Sequence, residues 1–176
     1  GLLVFKDPAL QQKVDQLKNF AILSETECAD VGTNAKMNEM QALMGELCLK
    51  VVDQLIEKRK AIYSVYQEAF HETPLHLLEC PESIYEMFLE HNYAYCPVLF
   101  KDFDTRERIY RRLKEYNVYS RRYFYPLLTE FAPYRDSKSV TPISRDVSSR
   151  VLSLPTYQSL DIEDVKSVAR LLTALV

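Results

Sequence analysis

Glycine is scarce in this chain, with three residues in 176, against roughly 7% in average usage. Loops that cradle phosphate need glycine so that backbone N–H groups can approach the ligand, and no GxGxxG or Walker-type loop occurs. The four cysteines, Cys28, Cys48, Cys80 and Cys96, never form a CxxC pair, and His71, His76 and His91 share no i, i+4 spacing. Zinc sites bring their ligands in close pairs, so no metal site is expected. Cysteines so dispersed read as buried free thiols in a reducing cytosol. Positive charge is not in excess either. The net charge is −3, which gives no broad attraction to nucleic acid or to an anionic membrane. No apolar run approaches the roughly 18 residues of a membrane span, and no signal-peptide pattern is visible. Nucleophile signatures such as GxSxG are absent, and no pair of carboxylates stands out for acid–base work. The expectation is a cytoplasmic protein without nucleic-acid or membrane partners and without a self-contained catalytic constellation.

What is present is ordinary globular material: 47% hydrophobic and 27% charged residues, enough for one domain or a domain with an appendage. Leu2 to Phe5 reads as a buried strand, entered so abruptly from Gly1 that the chain resembles a piece of something longer. Asp7-Pro8 opens a helix running to about Phe20, and residues 23–36 form a polar loop. From Met37 to Phe70 apolar residues recur every three, four or seven positions, which predicts one long helix capped by Asn38 and roughly 50 Å long. YAYCPVLF (93–100) reads as a strand that Pro97 assigns to an edge or a bulge. Asp104 caps the next helix, and Asn117 follows its end as the C′ residue. Val118-Tyr119 begins another strand, followed by an irregular Tyr- and Pro-containing segment. Ser144 to Val151 is a short helix, SLPTYQSL a strand or turn, and Asp161 caps a last helix with Val165, Val168, Leu171 and Leu172 on one face. The order predicts a small α+β layer with helices on one side of a short sheet.

Two stretches carry chemistry. In TRERIYRRLKEYNVYSRRYFY basic residues interleave with tyrosines, as on surfaces that stack bases. Here Arg106, Arg108, Arg111 and Arg112 are expected on the solvated face of a helix, with Ile109 and Leu113 inward. Arg121-Arg122-Tyr123-Phe124 has two readings: an anion clamp beside stacking rings, or a charged loop edge with aromatics packed beneath. Gly32-Thr33-Asn34, with Lys36 beside it, also has two: a phosphate site at a helix N-terminus, or a turn glycine before a helix cap.

Taken together, several segments resemble the DegT/StrS family of sugar-nucleotide aminotransferases. GTNAKMNEMQALMGELCL is similar to that family's G-x-N-x-[KR] segment, RRYFYPLLTEFAPY to its R-x-Y-F-x-P-L-H segment, and VLSLPTYQSLDIEDVKSVARLL to its C-terminal V-L-S-L-P segment. GLLVFKDPALQQKVDQLKNF matches the strand and helix after the cofactor lysine. The resemblance implies an α/β chain forming the C-terminal part of an aminotransferase of fold type I: residues 1–36 as the end of the large cofactor-binding domain, 37–71 as the connecting helix, and 72–176 as the α+β small domain. It implies pyridoxal 5'-phosphate (PLP) in the parent enzyme, none bound to this chain alone, and a homodimer.

By the same resemblance, Asn34 matches an asparagine that reaches the PLP phosphate of the other subunit. Lys36 matches a basic position near that site. Arg122, Tyr123 and Phe124 match residues lining the nucleotide-sugar cleft. Leu128 stands where the family commonly has His. No lysine here has the context of the family's Schiff-base lysine, so the chain alone is expected to be inactive. The parent would move an amino group from an amino acid, glutamate for choice, to a keto-sugar nucleotide. The alternative is a non-catalytic binding, oligomerisation or regulatory module of the same fold. Apolar patches on the first and long helices are expected to drive self-association.

Overall fold

The computed structural model describes residues 2–135 and 140–176. Gly1 and part of the irregular segment expected after RRYFYPLL therefore lie outside the described residues. The chain divides into two compact units, Gly1–Val52 and Asp53–Val176.

The first unit holds α1 (Leu10–Lys18), a hairpin of β1 (Ile22–Ser24) and β2 (Glu27–Cys28), and the first half of α2 (Glu39–Phe70). Leu2–Phe5 is not a strand, and Val4 is 87% exposed. Asp7 accepts from the Ala9 N–H at 2.9 Å, so it caps a turn ahead of α1 and not the helix itself. The expected loop 23–36 contains the hairpin. Strands of two or three residues are too short to show an alternating pattern. Asn38 does cap α2, its Oδ1 accepting from Gln41 N–H at 2.9 Å, and the helix runs 32 residues. Ala21 is the one buried hydrophobic residue of this unit among those described.

The second unit carries the core. Its four-stranded antiparallel sheet has the order β3 (His76–Leu77), β6 (Cys96–Leu99), β8 (Val151–Leu154), β7 (Arg121–Arg122). Cys96 and Val98 face Leu154 and Leu152 across the central pair. These four side chains pack with Ile62, Tyr66 and Phe70 of α2, Ile109 and Leu113 of α3 (Phe103–Glu115), and Val165, Val168 and Leu172 of α5 (Ile162–Leu175). Helices therefore cover one face, as expected. A separate hairpin, β4 (Ser83–Ile84) and β5 (Met87–Phe88), was not foreseen. Of the strand and the turn left open after the short helix, the strand is found: VLSL is β8, a fully buried inner strand directly after α4 (Pro142–Arg150).

Pro97 lies in an inner strand, not at an edge, and the sheet shows how. It pairs with Ser153 on one side. On the other, the Leu78 N–H donates to the Pro97 carbonyl at 2.9 Å, but proline has no N–H to return to Leu78. The Tyr63 hydroxyl donates to the Leu78 carbonyl instead, at 3.4 Å. β3 ends at that point, so one missing donor both stops the strand and is compensated by a side chain from α2.

Helix α3 is capped by Asp102, which accepts from the Thr105 N–H at 2.8 Å, and not by Asp104. Its end is a Schellman turn: Val118 N–H donates to Leu113 O at 2.9 Å, Asn117 N–H to Lys114 O at 3.1 Å, and Asn117 has φ 58°. The strand expected at Val118 begins only at Arg121. Asp161 caps α5 through the Glu163 N–H at 2.8 Å. Of the expected buried thiols only Cys96 is buried; Cys28, Cys48 and Cys80 are exposed. Among the described residues no helix is long and apolar enough to cross a membrane.

Candidate functional site

In the first unit, the segment bearing Asn34 is docked on the end of α1. Thr33 N–H donates to Leu17 O at 2.9 Å, Ala35 N–H to Lys18 O at 2.9 Å, and Phe20 N–H to Thr33 O at 3.1 Å. Asn34 bridges Asn19. The chain leaves α1 through two left-handed residues, Phe20 (φ 61°) and Ala21 (φ 55°), and Gly32 crosses directly over them. A Cβ on Gly32 would stand 2.3 Å from both Ala21 N and Phe20 C. Gly32 is thus required by close approach of two backbones and not by a turn, since its φ is not positive. Asn34 is exposed, and its side-chain oxygen faces the Lys36 N–H at 3.5 Å. The side-chain NH2 of Asn34 has no acceptor among the described residues, which leaves two donors for an outside anion. Lys36 Nζ donates to Asn19 Oδ1 at 3.2 Å and lies 5.3 Å from the centre of the Phe20 ring.

In the second unit, strand period decides where the two arginines go. Arg121 pairs with Ser153 and Arg122 with Leu152, so their side chains leave on opposite faces of β7. They do not form one clamp. Arg122 joins the helix side, where Nε donates to Glu107 Oε1 at 2.7 Å, Nη2 donates to Glu107 Oε2, and the guanidinium lies 4.0 Å from the Tyr110 ring centre. That bidentate pair holds the Glu107 carboxyl below and the Arg122 guanidinium above its ordinary pKa.

Arg106 corrects the expectation of a solvated face: it is fully buried. Positions 106, 109 and 113 keep the i, i+3, i+7 row that also turns Ile109 and Leu113 inward. Its Nε donates to Ser149 O at 2.8 Å, its Nη1 lies 3.0 Å from Glu107 Oε1, and its guanidinium stacks 4.4 Å from the Tyr125 ring. Desolvation lowers its pKa.

Beyond β7 lies a groove of about 790 Å³, bordered by Arg121, Tyr123, Phe124, Leu128, Phe131 and Ile143. Arg122 borders it as well, although its guanidinium is held by α3. Tyr123 packs between Tyr95 (5.0 Å) and Phe124 (4.4 Å). Phe124 is 75% exposed and left-handed at φ 52°. Sequence reasoning missed Glu107, and it grouped Arg121 with Arg122 in one clamp without seeing that only Arg121 is left uncommitted beside the groove. The signal for the second was the two-residue alternation of a strand.

Lysines among the described residues are all exposed, whereas a Schiff-base lysine is desolvated or placed beside another cation. Among the described residues, the Asn34 amide offers donors of the kind a PLP phosphate would accept, and no lysine stands in the desolvated setting of a covalent anchor.

The fold matches the aminotransferase TlmJ from Streptoalloteichus hindustanus with a TM-score of 0.81 at 22% identity, covering 97% of this chain and 46% of that one. The chain belongs to the DegT/DnrJ/EryC1/StrS aminotransferase family, matched over residues 1–173. It is 35% identical to an Escherichia coli dTDP-4-amino-4,6-dideoxy-D-glucose transaminase over 98% of this chain and 47% of that protein. It is 28% identical to DesI, whose structure was determined in the presence of its TDP-sugar product, with a TM-score of 0.77 and coverage of 97% of this chain and 44% of DesI. The chain thus spans about half the length of the relatives it matches.

Proposed function

We propose that this chain is the C-terminal half of a PLP-dependent nucleotide-sugar aminotransferase. In it, residues 1–36 close the large domain, 37–71 connect, and 72–176 form the small domain. The observation that carries the reading is the docked loop: Gly32 lets it cross α1, and Asn34 is displayed with free amide donors. Asn34 then meets the cofactor phosphate of a second subunit in a homodimer, with Lys36 adding positive charge nearby. Bound PLP supplies the electron sink that lets an amino group pass from an amino acid, glutamate for choice, to a keto sugar. The second unit binds and orients. Tyr123 and Phe124 offer faces for the nucleotide base, Arg121 offers the groove's cation for the diphosphate, and Leu128 makes the groove wall apolar where the family commonly has His. The relatives' names favour a dTDP-linked 4-keto-6-deoxy sugar.

The full-length protein, given PLP, glutamate and a dTDP-4-keto-6-deoxy sugar, should release one 2-oxoglutarate per amino sugar formed. Arg121→Met should raise KM for the nucleotide sugar about tenfold, the loss of one charge-assisted contact. Tight nucleotide-sugar binding without turnover would support the alternative of a non-catalytic module. The 176-residue chain treated with PLP and borohydride should show only scattered, sub-stoichiometric lysine adducts. A single stoichiometric adduct would overturn the half-site reading.

A further inference from the structure

Phe124 is a bulky residue held in the left-handed region, at φ 52°. Such a conformation is strained for a bulky side chain and persists only where its surroundings over-determine it. The residues on either side show what does so. Two positions before it, Arg122 makes two hydrogen bonds to the Glu107 carboxylate. One position after it, Tyr125 stacks on the buried guanidinium of Arg106, which itself lies 3.0 Å from the same carboxylate. Both anchors of the strained residue therefore meet one side chain, Arg122 through two hydrogen bonds and Arg106, whose Nε is held by Ser149 O at 2.8 Å, through charge. Glu107 sits on α3, away from the groove lining, and is 13% exposed. No other carboxylate pairs with Arg106 or Arg122 among the described residues.

We propose that Glu107 is a positioning residue: through Arg122 and Arg106 it fixes the segment 121–125, and so sets the pose of Tyr123 and Phe124 over the groove. It touches no substrate. That this pose serves nucleotide-sugar recognition rests on the function proposed above; the mechanical statement does not. Arg122 becomes a strut of the groove, and Arg121 its exposed cation.

The chain contains no tryptophan, so Phe124→Trp places a single indole reporter at the strained position. Time-resolved anisotropy of that reporter should show mostly slow, whole-body decay. Adding Glu107→Gln should at least double the fast, local component. Arg122→Met in the same background should do likewise, and the two together should give little more than either alone, because they cut one connection. A control reporter, Tyr157→Trp, should be unmoved by Glu107→Gln. Glu107→Asp, which keeps the charge on a shorter arm, should give an intermediate effect and replaces the Gln variant if that one fails to fold. An unchanged signal from the reporter at position 124 overturns the proposal. So does a control reporter at position 157 that loosens in proportion, because Glu107 would then support the unit generally. No ligand enters the measurement, so a failed aminotransferase assay counts against the function above and leaves this result standing.

Discussion

Two of the three glycines lie in the first unit's described residues, and alanine should act on them with opposite signs. At Gly32 the added Cβ would sit 2.3 Å from Ala21 N and Phe20 C and 2.8 Å from Leu17 O. All three are backbone atoms, so no rotamer change relieves the clash, and the loop must lift by roughly 1 Å to reach ordinary contact distance. Lifting breaks the bonds Thr33–Leu17, Phe20–Thr33 and Ala35–Lys18. At about 1 kcal/mol each the loss is about 3 kcal/mol, from which alanine returns up to about 1 kcal/mol by restricting the unfolded chain. The net local loss is about 2 kcal/mol, or roughly thirtyfold faster exchange of those amides. At Gly45, inside α2, nothing lies within 4 Å of the added Cβ, so alanine should gain up to about 1 kcal/mol from helix propensity alone. Amide hydrogen exchange followed by NMR measures both. Unchanged exchange at Thr33 and Ala35 in Gly32→Ala would refute the close-approach argument. Faster exchange around residue 45 in Gly45→Ala would refute the claim that the space there is open.

A disulfide reagent should modify three thiols at once, Cys28, Cys48 and Cys80, and Cys96 only at the rate of unfolding; four fast thiols would contradict the core assignment. Stability should fall at high pH. Burial pushes both the Cys96 thiol and the Tyr63 hydroxyl up to about 12, so the unfolded chain loses these protons first. Their contribution is complete below about pH 8.5 and is lost as pH rises to about 12, which urea midpoints across that window will test. Asp102→Ala should lower the thermal midpoint more than Asp104→Ala, since only Asp102 receives the Thr105 N–H; equal effects would return the cap to Asp104.

Long periods were legible and short ones were not. Helices α2, α3 and α5 announce themselves because three or more turns repeat the same apolar row, and their caps at Asn38 and Asp161 and the Asn117 turn are local chemistry. Strands of two to four residues carry a weaker signal: β6 stood out as an apolar run, but the two-residue strands did not, and β8, the most buried strand of the sheet, read equally as strand or turn after a helix end. Pro97 was misplaced because a rule about donors was applied without knowing which side lacks a partner. In the candidate site, the loop carrying Asn34 and Lys36 and the pair Tyr123–Phe124 stand out in the sequence. The Arg122–Glu107 bond does not, because it joins a strand to a helix fifteen residues earlier.

The arginine- and tyrosine-rich stretch shows what is at stake in that last distinction. Along the sequence, residues 105–125 look like one continuous basic, aromatic stripe. In the fold they leave in separate directions. Arg106 is turned inward onto Tyr125, Arg108 donates to the Leu175 carbonyl at 2.6 Å, Arg112 pairs with Glu115, and Arg122 is held by Glu107. A guanidinium already bonded in two places offers little to an anion without first giving up those bonds, and a part-buried carboxylate left behind would add its own desolvation cost. Arg121 has no such commitment among the described residues and borders the groove. The same alternation of β7 that turns the Arg122 guanidinium onto α3 therefore leaves Arg121 uncommitted at the groove, and under the proposed function one arginine would hold the site while the other meets the ligand.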